Sequence, residues 1–261
     1  MSAQIENLRK DIRMRDESDT RMSNAWLLIY LIPIFTIIAA VPLMFFAIFA
    51  SVSPYPPSPG IPLFVAFMIL AILLSIVSLV VSIILTYKLV KRRNTHFKRQ
   101  LFLLEDVVSI VRSAAAKKKA DAEALLSSSE RTFREAKAEE TEKSAVLWAI
   151  LSAVPYVGFL ATWYVYYFLM KDFYKHERRE DGFWEDISRA LDKCGVTFAV
   201  PRRSESIPDR SFVLYLILTI ITVGLFGIYW LYILLRDPNE HFKHHVQVED
   251  LLLRTLESVA L

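Results

Sequence analysis

The sequence predicts an all-α, polytopic membrane protein, and three observations carry that prediction. Four apolar stretches occupy 26–50, 61–89, 145–170 and 211–235, each longer than the roughly 20 residues that cross a ~30 Å hydrocarbon core. The 31 Lys and Arg residues lie outside them, apart from Lys88 at the edge of the second. Hydrophobic residues make up 54% of the chain and charged ones 23%, so the two classes are segregated rather than mixed. Together these give one full transmembrane helical hairpin and two further apolar segments, either re-entrant hairpins or single spans, with interfacial amphipathic helices.

In chain order, 1–23 is a charged N-terminal segment expected on the cytoplasmic side. No cleavable signal peptide fits, because the first apolar run is too long and no small-residue site ends it. Segment 24–90 is the transmembrane hairpin. Its connector, 51–60, reads SVSPYPPSPG, whose four prolines forbid helix and make a stiff, uncharged turn. A turn without charge belongs outside and its basic flanks inside. Segment 91–144 is a cytoplasmic helical region. An amphipathic helix is expected over 101–126, and a second from Ser127, whose spacing to Glu130 is that of a capping box. Segments 145–195 and 211–261 are the second and third membrane segments, each followed by an amphipathic helix. Between them, 196–210, with Pro201 and Pro208, reads as an irregular linker.

A threefold pattern recurs where the apolar stretches end. Tyr87, Lys91 and His96 match Tyr167, Lys171 and His176, and again Tyr232, Arg236 and His241, at spacings of four and five residues. An acidic pair follows each: Glu105-Asp106, Glu185-Asp186 and Glu249-Asp250. A tyrosine suits the membrane interface, and a base one turn later reaches toward phosphates. The acidic pair opens an amphipathic helix that lies on the membrane or packs on neighbouring copies. One unit used three times is the simplest reading.

The pattern bears on topology. If all four stretches cross, 171–210 and its nine basic residues fall outside, and the second copy faces away from the others. If 145–170 and 211–235 re-enter, all basic residues and all copies share the cytoplasmic face. Pro155 and Gly158 in one stretch, and Gly224 and Gly227 in the other, sit where a helix bends cheaply. As straight helices the two would be about 39 and 38 Å long, which demands steep tilt. The re-entrant arrangement is preferred.

Residues 219–241, TIITVGLFGIYWLYILLRDPNEH, carry Thr222, Gly224, Gly227, Tyr229, Trp230, Tyr232, Arg236, Asn239 and Glu240. This run resembles an uncharacterised family of small prokaryotic membrane proteins, a domain of unknown function with a Thr-x-Gly…Ile-Tyr-Trp-Leu-Tyr run. Residues 153–176 look like a degenerate second copy, keeping Gly158, Trp163, Tyr164, Tyr167 and Lys171. The resemblance implies a membrane protein and supplies no activity.

Little catalytic chemistry is visible. Cys194 is the only cysteine, a packing residue rather than a nucleophile. No Walker loop, Rossmann fingerprint, nucleophile elbow or CxxC motif occurs. His241 and His245 have the i, i+4 spacing of a metal pair, but no third ligand is evident nearby, and a solvated histidine cluster is the favoured reading. His96, His176 and His241 would converge if three copies packed about one axis, with interfacial histidines as the plainer alternative. No catalytic residue, metal ligand or cofactor is assigned. The apolar stretches hold no Asp, Glu, Arg or His, which argues against an ion-coupled transporter. The expectation is a multi-pass cell-membrane protein with both termini cytoplasmic, not an enzyme, in a structural, scaffolding or membrane-shaping role. Its partners are the lipid bilayer, further copies in a homo-oligomer, and a cytoplasmic protein bound through 91–144, with no nucleic acid. An oligomeric channel or small-solute permease, and a membrane anchor recruiting that partner, are the alternatives.

Overall fold

The structure, a computed structural model, describes residues 2–52 and 60–260. Most of the proline-rich connector, 53–59, lies outside the described residues. Those described form helices and no strand: α1 (Ser2–Arg13), α2 (Arg15–Ser18), a 3-10 turn (Asn24–Leu27), α3 (Leu28–Val52), α4 (Gly60–Lys118), α5 (Glu123–Glu139), α6 (Ala145–Leu151), α7 (Gly158–Lys193), α8 (Phe212–Ile221) and α9 (Leu225–Ala260).

Three of the four apolar segments are entered through a serine. The side chains of Ser23, Ser144 and Ser211 accept hydrogen bonds from the backbone N–H groups of Ala25, Leu147 and Leu214, at 3.1, 3.2 and 3.3 Å. They satisfy donors that the first turn of a helix leaves free.

Neither 145–170 nor 211–235 is a single helix. Trp148 and Phe168 would stand about 30 Å apart along a straight helix, yet their ring centroids are 5.7 Å apart. Phe212 and Trp230 likewise meet at 5.7 Å. Each stretch is therefore a helix–turn–helix. The first turns through 152–157, with Tyr156 at φ 65°. Gly158 ends that turn so tightly that a Cβ there would lie 2.4 Å from the Ser152 carbonyl oxygen. The second turns at Val223 and Gly224, at φ 51° and 90°, and the Thr222 hydroxyl accepts from the Phe226 N–H to start α9.

The outgoing helices differ from expectation. No amphipathic helix begins at an acidic pair: α4, α7 and α9 run unbroken from apolar into charged sequence. After Pro62, in its first turn, α4 contains neither Gly nor Pro, so nothing stops it for 59 residues. The break expected at Ser127 falls instead at 119–122, where Lys119 adopts φ 52°. Ser127 lies inside α5 and its hydroxyl donates to Glu123. Pro238 sits within α9 and deprives the Leu234 carbonyl of its usual donor. Arg92 of α4 donates to that carbonyl instead, while Asn239 exchanges hydrogen bonds with both backbone groups of Met22.

The apolar faces of the continued helices pack on one another. One core joins Leu85, Leu89, Val165, Leu169, Trp230 and Leu231. A second, further from the apolar ends, joins Leu8 of α1, Val107 of α4, Leu126 of α5, Ile187 and Leu191 of α7, and Leu252 of α9. A polar layer lies between them. Two helical segments, Asn24–Phe46 and Val65–Lys118, are long and apolar enough to cross a membrane.

Candidate functional site

The polar layer is built by α4, α7 and α9 where they leave their apolar ends. His96 comes from α4, His176 and Glu180 from α7, and His241 and His245 from α9. The i, i+4 spacing puts each pair on one face of its helix. All five are buried, none more than 3% exposed. One donor atom from each lies within 4.8 Å of every other.

Four imidazoles turn their Nε2 atoms inward. His96 Nε2 is 3.2 Å from His241 Nε2. Glu180 receives the others: His176 Nε2 at 3.2 Å, His245 Nε2 at 2.8 Å and His241 Nε2 at 3.5 Å. Outward, each Nδ1 faces its own carboxylate. His96 meets Asp19 at 2.9 Å, His176 meets Glu140 at 3.0 Å, and His241 and His245 meet Glu177 and Glu249, both at 3.2 Å. These acids arrive from the N-terminal segment, the end of α5, α7 and α9.

Three guanidinium groups frame the layer. Arg99 bridges Asp19 and Glu249, both at 2.8 Å. Arg179 pairs with Glu140 at 2.7 Å. Arg203, from the helix-free 194–211, lies 3.3 Å from Glu177 and 3.5 Å from Glu180. Aromatic rings wall the site: His96 lies 4.6 Å from Phe242, and Phe97 stacks on His176 at 4.3 Å.

Burial and charge split the histidines. Burial lowers His96 to about 4 against the pull of Asp19. His241 is held well below its ordinary value by burial and by neighbouring His245. Burial also opposes the charged form of His176, but Glu140 and Glu180 prevail and push it up to about 10. His245 is raised in the same way, against burial, by Glu180 and Glu249. Glu180 stays ionised despite burial because three imidazoles face it. The donor set suits a first-row transition-metal ion, since neutral imidazole nitrogen and carboxylate oxygen are its common protein ligands.

The sequence-selected residues divide accordingly. His96, His176 and His241 converge, and with His245 they are buried rather than solvated. Their tyrosine and base companions stay near the surface. Lys91 lies 5.5 Å from the Tyr87 ring, Lys171 pairs with Asp209, and Arg236 with Glu205. Tyr167 is exposed, and Tyr232 half-buried. Of the acidic pairs only Glu249 enters the site. The sequence pointed to no metal ligand set; the missing partners of His241 and His245 lie 145 and 65 positions away, at His96, His176 and Glu180. The i, i+4 spacing of His176 and Glu180 is the one further sign of the site that the sequence carries.

Fold and site together define an all-helical protein with two membrane-length apolar helices and a buried histidine–carboxylate centre. Residues 210–256 match a family described as a domain of unknown function (DUF4234). That match takes in α8, the turn at Gly224, Asn239 and the pair His241 and His245. No curated protein and no solved structure matches the chain.

Proposed function

We propose that the chain is a multi-pass integral membrane protein with a non-enzymatic, membrane-shaping role. In this reading α3 and the apolar part of α4 span the bilayer. The hairpins α6–α7 and α8–α9 re-enter from the cytoplasmic face, and both termini lie in the cytoplasm. The three outgoing helices are copies of one unit, fastened together by the centre where they meet.

The carrying observation is the approach of His96 and His176, whose rings are 5.1 Å apart. Four single spans would set 91–144 and 171–210 on opposite sides of a ~30 Å hydrocarbon layer, which no ring contact bridges. Exposure supports insertion: none of the Asn24–Phe46 window is buried, whereas the core helix of a soluble protein buries its apolar side. Depth supports the wedge. α6 and α8, of 7 and 10 residues, extend about 10 and 15 Å, half a bilayer or less. Two wedges in one leaflet enlarge it and favour curvature.

A cavity of about 400 Å³ between α3, α4 and α7, lined by Thr36, Ser75, Ser78, Ser82, Thr86 and Thr162, favours a small-solute permease as the second reading. Solute flux into proteoliposomes would promote it.

Topology is tested first. Cys194 is buried, so its own thiol is a poor reporter. Ser204→Cys in a Cys194→Ser chain places a thiol at an exposed loop position. Labelling by a membrane-impermeant reagent only after permeabilisation is expected; labelling in intact cells overturns the one-sided arrangement. Purified protein should then remodel liposomes, and unchanged liposomes end the membrane-shaping reading.

A further inference from the structure

We propose that His96, His176, Glu180, His241 and His245 form a binding site for one divalent first-row transition-metal ion, held by four imidazole Nε2 atoms and the Glu180 carboxylate.

The spacing is that of ligands around an ion. Donors at right angles about 2.1 Å from one centre stand about 3.0 Å apart, and opposed donors about 4.2 Å. Neighbouring inner atoms here are separated by 2.8, 3.2 and 3.2 Å. The widest separation, within 4.8 Å, closes onto an ion with side-chain shifts of a few tenths of an ångström.

The outer shell is that of a metal centre. A ligating histidine presents one nitrogen to the ion and donates its other N–H to a carboxylate or carbonyl, which fixes the tautomer. His96 and His176 have this arrangement, with Asp19 and Glu140. His241 and His245 place Nδ1 beside Glu177 and Glu249, and also beside the donors Arg203 and Gln100, at 3.2 and 2.5 Å. Four carboxylates thus lie outside the ring of imidazoles while every Nε2 turns toward one point.

One further observation points inward. His176 Nε2 and Glu180 Oε1 are buried without a hydrogen-bond partner, although 3.2 Å apart. Buried polar atoms of this kind cost free energy unless something satisfies them.

The ligand count narrows the ion. With no thiolate and five or six donors, depending on whether Glu180 binds through one oxygen or two, the site suits Mn(II), Fe(II), Co(II) or Ni(II). Structural zinc prefers four ligands. The centre is closed by Phe97, Phe173 and Phe242, so the ion ties α4, α7 and α9 together and leaves no position for substrate.

The test uses the full chain in detergent, stripped with chelator and reloaded separately with Mn(II), anaerobic Fe(II), Co(II), Ni(II) and Zn(II). About one ion per chain is expected for the six-coordinate metals, with a raised melting temperature. Glu180→Gln and His245→Gln should weaken binding at least ~10-fold. His244→Gln, at a buried histidine outside the cluster, should leave it unchanged. Folded wild-type protein that takes up none of the five metals overturns the proposal, as does equal affinity in Glu180→Gln. If the variants do not fold, electron spin-echo spectra of the Mn(II)-loaded wild type decide: imidazole nitrogen couplings support the site and their absence refutes it. Membrane topology does not enter this measurement, so the metal centre stands or falls independently of the membrane reading.

Discussion

The two halves of α4 obey opposite rules. At Ile69, Ile72 and Ile76 the helix leaves apolar side chains more than half exposed, while Arg93, His96, Arg99 and Gln100, further along the same helix, are at most 1% exposed. One half wears its hydrocarbon outside; the other carries charge inside. Nothing in the backbone distinguishes them. The difference lies in what each half packs against. The first half has α3 beside it and otherwise leaves its apolar surface uncovered. The second is enclosed by α1, α5, α7 and α9, each bringing a carboxylate, a base or an apolar face. A buried charge persists only when every partner is supplied, so the polar half depends on precise pairing and the apolar half on bulk solvent alone.

The widest contrast should come from truncating one side chain in each region. Arg99→Ala leaves Asp19 and Glu249 buried without their shared cation, and should cost about 3–5 kcal/mol. Phe45, 64% exposed on α3, should cost no more than about 0.5 kcal/mol when changed to alanine. Chemical unfolding in micelles measures both. Comparable losses would break the contrast and mean that the apolar half is packed as tightly as the bundle.

A finer division falls at Pro238, where apolar helix becomes charged helix. The proline removes the donor for Leu234, and Arg92 replaces it from another helix. In a Pro238→Ala chain the Leu234 carbonyl regains a donor within α9, and Arg92 becomes less necessary. Arg92→Ala should therefore destabilise the wild type more than the Pro238→Ala protein, with a coupling of about 1–2 kcal/mol in a double-mutant cycle. Additive effects would show that Arg92 matters only through its other bond, to Asn239.

The same boundary separates what was legible in the sequence from what was not. The turns at 152–157 and 222–224 could be read because Pro155, Gly158 and Gly224 interrupt otherwise uniform apolar runs. The capping pattern at Ser127 misled because tertiary contacts outweigh it. Leu126 and Ser129 are buried and Glu130 pairs with Arg112 of α4, so the helix continues through the serines. Equal spacing after three apolar stretches brought His96, His176 and His241 under suspicion. Their burial and their carboxylates could not be read, because Asp19, Glu140 and Glu177 reach them only through the fold. A histidine on a charged helix looks solvated until the opposing helices are placed.

The smallest effect sharpens the comparison inside the bundle. Most buried carboxylates there are held low by their partners: Asp19, against burial, by His96 and Arg99, and Glu249, against burial, by Arg99 and His245. They contribute stability above the ordinary carboxylate range and lose it as pH falls. Asp11 on α1 runs the other way. Burial, then the adjacent Asp106, raises it from 3.8 to about 6. The folded state thus holds a proton that the unfolded chain releases near 3.8. Its contribution is complete below that value and is lost as pH rises through about 6. Asp11→Asn removes the titration while keeping the shape. Relative to wild type it should gain on the order of 1 kcal/mol between pH about 4 and about 7, read from parallel melts. Because α1 packs Ile5, Leu8 and Ile12 into the distal core, the gain should appear in global unfolding rather than as fraying of the N-terminus. A flat difference between the two proteins would mean that Asp11 reaches water and that α1 is docked by its apolar face alone.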